Sequence, residues 1–215
     1  MTDDIAMFKL CVVTDRRSSR GRTESETAEM SFAGGADAVQ LRMKSASDEE
    51  MLEEAYRIRA FANTYSKLFI VNDRVNIAIL SNADGVHLGQ SDSDIREARK
   101  SLGKGKIIGV TVHNEKEAVE AERNGADYVS IGSVFRTSTK NDAIQEQGLD
   151  MVSAVRRSVR IPLIAIGGIN LKNVSSVIVA GADGVAVVSA IVSEDNITEI
   201  VKQFQNAISE ARPNI

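Results

Sequence analysis

Along AVQLRMK, Gln40, Arg42 and Lys44 alternate with Val39, Leu41 and Met43. An extended segment there would carry an amide and two cations on one face. A strand buried in a parallel sheet is ordinarily apolar on both faces, and leaving such groups unpaired would cost heavily. They must therefore meet either an internal ion-pair network or a polar, anionic ligand, and their place near the strand's carboxyl end favours the ligand. The run LFIVND ends in Asn72-Asp73, and GVHLGQSD ends in Gln90-Ser91-Asp92. If the two runs are neighbouring strands, two hard oxygen donors lie beside the cations. That set suits Mg2+, which takes one or two carboxylates and completes its shell with phosphate oxygens and water. Helix capping is the competing use for Asp73 and, more strongly, for Asp92, while Asp94 reads as a cap or first-turn acid.

Other groups point to a second anion site. Thr137, Ser138, Thr139 and Lys140 lie in a long loop, 136–148, able to fold over a phosphorylated ligand. Gly167-Gly168 in IGGIN and Val188-Ser189 in VVSA follow apolar runs, where backbone N–H groups can approach an oxyanion. Thr111 ends the run IIGVTV and could hydrogen-bond a ligand. His113, two residues on, reads equally as an acid/base or as a helix-start residue. His87 reads as a satisfied structural histidine and Cys11 as core. Arg16, Arg17, Arg20 and Arg22 form either a solvated face or an anion-attracting loop. No Ser-His-Asp ordering, Cys-x-x-Cys pair, P-loop or dinucleotide fingerprint is present. The arrangement implies an enzyme that joins two phosphorylated compounds, with pyrophosphate leaving one of them.

These groups need a scaffold that brings strand ends together. An Ala-Asp phrase recurs at Ala36-Asp37, Ala83-Asp84, Ala126-Asp127 and Ala182-Asp183, and each copy opens an apolar, β-branched stretch. Further β-rich runs lie at 8–15, 68–73, 107–112 and 162–168, which predicts eight short strands. Between strands the period changes to about 3.6. Helical patterns occupy 47–63, with a Ser47/Glu50 capping box, and 92–101, 115–123, 149–157, 171–179 and 196–210. Gly34, Asn124 and Gly181 are placed to end helices in the left-handed conformation. Strands alternating with helices, with a phrase at every second strand, predict an α/β fold: a single (β/α)8 TIM barrel spanning 1–215. In that barrel, ligands bind where strands end.

Composition narrows the function. The chain has 215 residues, 43% hydrophobic and 26% charged, which excludes a disordered or fibrous protein. No apolar run approaches the roughly 18 residues of a membrane span. The start, MTDDIAMFKL, is acidic where a signal peptide is basic. One cysteine fits a reducing cytoplasm, and a net charge of -4 argues against nucleic acid as a partner. No tryptophan and two histidines exclude a His-rich metal centre. A homo-oligomer is compatible with all of this.

The motifs VTDR (13–16), QLRMK (40–44), VNDR (71–74), GVHLGQSD (85–92), GADYVSIGSVFRTSTKNDA (125–143), AIGGI (165–169) and GADGVAVVSAI (181–191) together resemble the thiamine phosphate synthase family, in order through nearly the whole chain. The resemblance implies a transferase joining hydroxymethylpyrimidine diphosphate to thiazole phosphate, with release of pyrophosphate. It implies that Gln40 and Asn72 face the pyrimidine substrate, with Thr111 near its ring. Arg42, Lys44 and Lys140 would hold the diphosphate, and Asp73 and Asp92 would bind Mg2+. Thr137, Thr139, Gly168 and the Val188-Ser189 backbone would hold the thiazole phosphate. Members often have Pro where this chain has Arg136, a difference in loop stiffness or charge. The alternative is the related thiazole tautomerase, an isomerase that would use an acid/base such as His113 and no metal.

Overall fold

The structure, a computed structural model, describes residues 8–137 and 146–212. Its strands are β1 (Leu10–Val13), β2 (Ala38–Leu41), β3 (Leu68–Asn72), β4 (Gly85–Leu88), β5 (Ile107–Val112), β6 (Tyr128–Ile131), β7 (Leu163–Ile166) and β8 (Gly184–Val187). All pair in parallel in chain order, and β8 returns to β1 with Cys11 opposite Ala186, so the sheet closes into a barrel. The helices are α1 (Glu24–Ala33), α2 (Asp48–Tyr65), α3 (Val75–Leu80), α4 (Ile95–Leu102), α5 (Glu115–Arg123), α6 (Gly148–Ser158), α7 (Val174–Val179), α8 (Ser189–Val192) and α9 (Ile197–Ala211). The expected (β/α)8 architecture is present. Most of the apolar core lies between barrel and helices. Phe8, Cys11, Val13, Ala38, Tyr128, Ile164 and Ala186 pack together as a second cluster.

The recurring Ala-Asp phrase has a structural purpose at the closed end of the barrel. Each aspartate precedes an even-numbered strand and accepts a backbone N–H from the start of the preceding odd one. Asp37 takes Leu10 N (3.1 Å), Asp84 takes Phe69 N (2.7 Å), Asp127 takes Ile108 N (2.7 Å) and Asp183 takes Leu163 N (2.8 Å). Each also pairs with a cation: Lys67, Arg59, Arg99 and Arg156 respectively. Four carboxylates thus tie strand to strand and strand to helix far from the ligand-binding rim.

Several local expectations need correction. α1 was not anticipated, because its buried face includes Glu24, Ser25, Thr27 and Ser31 and shows no apolar period. α3 and α8, with six and four residues, are too short to establish one. Ser189 opens α8 instead of extending its strand. The left-handed residues are Gly35 and Gly125, one position beyond Gly34 and Asn124, which remain right-handed; Gly181 is left-handed as expected. α4 starts at Ile95 with Asp94 as its cap, so Asp92 stands outside the helix. The Ser47/Glu50 capping box is formed as expected.

Candidate active site

Where the strands end, the barrel opens into a cavity of about 540 Å³. Gln40, Arg42, Lys44, Asn72, Asp73 and Asp92 line it from the β2, β3 and β4 side, and Thr111 and His113 from β5. Thr137, Gly168, Val188 and Ser189 complete the opposite wall. Thr139 and Lys140 fall outside the described residues, as does Ser138.

β2 ends at Leu41, so Gln40 belongs to the strand while Arg42 and Lys44 follow it. Arg42 is fixed from two sides. Its N–H donates to Thr14 Oγ1 (3.0 Å), and its guanidinium meets the buried carboxylate of Asp15 at 3.3 Å. Asp15, just past β1, was not anticipated as a functional partner; only its position after an apolar strand hinted at it. The loop bearing Lys44 is held by Arg74, which donates to Ala46 O (2.6 Å) and pairs with Asp48 (2.8 Å). Lys44 Nζ then lies 3.7 Å from Asp73 Oδ2.

Asp73 caps no helix. It sits left-handed at φ 63°, its N–H bonded to His87 O (2.8 Å), while Arg74 occupies the cap of α3. Asp92 accepts from Gly89 N (2.6 Å), which turns its carboxyl back toward the end of β4. Both carboxyls line the same corner of the cavity. Burial, followed by the contact with Asp92 and its charge, pushes the Asp73 carboxyl up to about 6, and Lys44 and Arg42 oppose the rise. Two carboxylates crowded into one corner concentrate negative charge that a cation could offset. Among the described residues no group of three or more His, Cys, Asp or Glu could hold a metal, and Asp73 and Asp92 line the cavity as a pair.

The far wall depends on glycine. Gly167 and Gly168 have φ of 100° and 65°, and added Cβ atoms would lie 2.1 Å from Ser133 Oγ and 2.6 Å from Arg136 O. The turn after β7 is pressed against the segment leaving β6, and Phe135 N donates to Gly167 O (3.0 Å). That segment leaves the barrel after Ile131, where β6 ends. Its continuation brings Thr137 to the cavity.

Polar groups also meet inside the barrel. His87 Nδ1 lies 2.8 Å from Tyr128 Oη, and His87 Nε2 lies 2.8 Å from Thr111 Oγ1. Tyr128 was read only as part of a strand. A signal existed in Gly109, where a Cβ would sit 1.9 Å from Tyr128 Cζ: the glycine in IIGVTV makes room for the ring. His113 bonds Glu117 through both its N–H (2.8 Å) and Nδ1 (3.0 Å). The arginines after β1 are tied down in three cases: Arg16 pairs with buried Glu24, Arg20 with Asp195, and Arg22 donates to Val192 O and Glu194 O.

The family model described as thiamine monophosphate synthase matches residues 10–191. The thiamine-phosphate synthases of Chloroflexus aurantiacus and Methanocella arvoryzae are each 46% identical over 205 residues. These alignments cover 95% of this chain and 94% and 97% of those proteins. The solved thiamine phosphate pyrophosphorylase from Pyrococcus furiosus superposes with a TM-score of 0.86 at 38% identity, covering 94% of this chain and 96% of that one.

Proposed function

The chain belongs to the thiamine monophosphate synthase family and is a transferase that makes thiamine phosphate; for how its residues do so we propose the following. Hydroxymethylpyrimidine diphosphate binds on the β2–β4 side, with Gln40, Asn72 and Thr111 toward the ring. Arg42, Lys44 and Lys140 hold the diphosphate oxygens, and Asp73 and Asp92 would hold Mg2+. The pair fits a hard divalent ion, since the burial and the neighbouring Asp92 charge that push the Asp73 carboxyl up mark a corner with negative charge to spare. Bound there, Mg2+ would offset charge building on the departing diphosphate.

Thiazole phosphate binds on the opposite wall, its phosphate among Thr137, Thr139, Gly168 and the Val188-Ser189 backbone. The substrate's methylene carbon–oxygen bond breaks first, because the aminopyrimidine can delocalise the resulting positive charge. Arg42 and Lys44 receive the growing negative charge from fixed positions, which is the larger part of the catalysis assigned to the protein. The thiazole nitrogen then forms the new bond to that carbon, and no protein nucleophile takes part. Holding both substrates in one cavity contributes through proximity. The single cysteine, buried in β1, is in keeping with a cytoplasmic enzyme.

One observation supports the reading most directly: Arg42, Lys44, Asp73 and Asp92 converge on the cavity whose other wall is the Gly167-Gly168 turn. The test is pyrophosphate release with each substrate omitted in turn, with and without Mg2+. Release should need both substrates and the metal. Turnover of thiazole phosphate alone in the presence of a chelator would favour the isomerase instead.

A further inference from the structure

We propose that Asn173 is a positioning residue for the thiazole-phosphate subsite: its side-chain amide clasps the turn after β7 so that the N–H groups of Gly168 and Ile169 are left for a phosphate monoester. The inference rests on the assignment above of Gly168 to the thiazole phosphate.

Asn173 stands at the start of α7, where an asparagine ordinarily caps the helix by accepting an N–H two or three residues on. It makes no such bond. Its side chain reaches back instead: Oδ1 accepts from Asn170 N at 2.8 Å, and Nδ2 donates to Gly168 O at 3.0 Å. The two partners fix which way the amide faces. One is an N–H and the other a carbonyl, so the reverse orientation would set donor against donor and acceptor against acceptor. Asn170 Nδ2 lies 3.4 Å from the same oxygen, at the far limit of a hydrogen bond, so the Gly168 carbonyl depends mainly on Asn173. The backbone closes the turn beneath the clasp, with Asn170 O accepting from Asn173 N (3.1 Å) and Val174 N (3.0 Å).

Both carbonyls of the diglycine are thereby occupied. Gly167 O accepts from Phe135 N at 3.0 Å, and Gly168 O from Asn173. Across a trans peptide the N–H lies opposite the C=O. The Gly168 N–H thus points away from Phe135, and the Ile169 N–H away from Asn173. Among the described residues neither has a protein acceptor, and Gly168 and Ile169 both line the cavity. Successive N–H groups in a tight turn make a concavity for an anion. A diglycine does not hold that shape unaided, because it has no side chain to restrict it. Released, the peptide between Gly168 and Ile169 could turn its carbonyl toward the cavity and oppose a phosphate. The amide of Asn173 prevents that.

The test uses the full-length protein with two substitutions. Asn173→Ala removes both bonds, whereas Asn173→Asp keeps an acceptor for Asn170 N and sets a second acceptor against Gly168 O. Each should raise KM for thiazole phosphate about tenfold, with KM for the pyrimidine diphosphate within about twofold and kcat within about threefold. A carboxylate at the start of a helix is ordinarily favourable, so a purely structural role predicts that Asn173→Asp melts no lower and keeps its KM. An unchanged KM in Asn173→Ala, or equal rises in both constants, would refute the positioning role. A rise confined to Asn173→Asp would be an effect of charge and would refute it as well. A second readout needs no turnover and no variant. In an assigned 15N–1H spectrum of the wild type, inorganic phosphate should move the Gly168 and Ile169 amide protons downfield, and amides that do not respond would overturn the proposal. The half-saturating phosphate concentration should rise about tenfold in Asn173→Ala. Amides that respond in this way in a protein making no thiamine phosphate would overturn the function while leaving the clasp standing.

Discussion

Lys44 Nζ lies 3.7 Å from Asp73 Oδ2, while burial and the Asp92 carboxyl, which bears on Asp73 from the loop after β4, raise the proton affinity of Asp73. A metal ion and a proton on Asp73 therefore compete for the same oxygens. The Asp73 carboxyl lies near 6, so it is mostly protonated below that and ionised above. Apparent Mg2+ affinity should fall as pH drops from 8 through about 6. A half-saturation constant that stays level across that range would remove the competition.

The same shift carries a stability prediction with a definite sign. Asp73 is raised from its ordinary 3.8 to about 6, so between those values the folded protein binds more protons than the unfolded chain. Its contribution is fully present below the unfolded value and is lost as pH rises through the folded one. Without metal, wild type should lose thermal stability relative to Asp73→Asn between about pH 4 and pH 6. Adding Mg2+ at neutral pH should restore it in wild type only. Parallel melting curves for the two proteins would show that the crowding has no such cost.

Replacing Asp73 with alanine should reduce metal-dependent turnover on the order of a hundredfold or more, while the fold remains intact by circular dichroism. The residue caps no helix, so little secondary structure depends on its side chain. Near-normal turnover at saturating Mg2+ would end its assignment as a metal ligand.

Asp15→Asn should act through Arg42. The carboxylate that holds the guanidinium at 3.3 Å would become a neutral amide. KM for the pyrimidine diphosphate should rise about three- to tenfold, with KM for thiazole phosphate unchanged. Steady-state kinetics with each substrate varied in turn will show the split, and a uniform change in both would argue for general loosening instead.

At the opposite end, Asp127→Asn should cost about 1–3 kcal/mol of stability, because Ile108 N and Arg99 both lose a charged partner. Neither KM should change, since Asp127 lies outside the cavity lining. Denaturant unfolding and kinetics on the same preparation would check both halves of that statement.

Much of this was legible from spacing. The eight apolar runs found their strands because a buried parallel strand is continuously apolar, and the Asp phrase marked every second one. The alternation in QLRMK and the acids ending VND and GQSD located the cavity's ionic side. What spacing could not show were contacts across the barrel. Tyr128 reads as one more strand residue until Gly109 on the neighbouring strand is seen to make room for it. Asp15 has no meaning until Arg42 stands beside it. α1 was hidden because its inward face carries Glu24, Ser25 and Thr27, and their burial is made tolerable by Arg16, which pairs with Glu24, and by Thr23 O, which accepts from Thr27. Thr139 and Lys140 lie outside the described residues, so their roles rest on the motif that contains them.

The ring closes when β8 hydrogen-bonds to β1. Apart from Lys140, the groups assigned to the diphosphate follow β2, β3 and β4, and those assigned to the thiazole phosphate follow the last three strands. Cut at its middle, the chain would separate into two half-barrels, each with a hold on one reactant and neither with both. A polypeptide still emerging from the ribosome is in the same position, and it can make no product until its eighth strand docks.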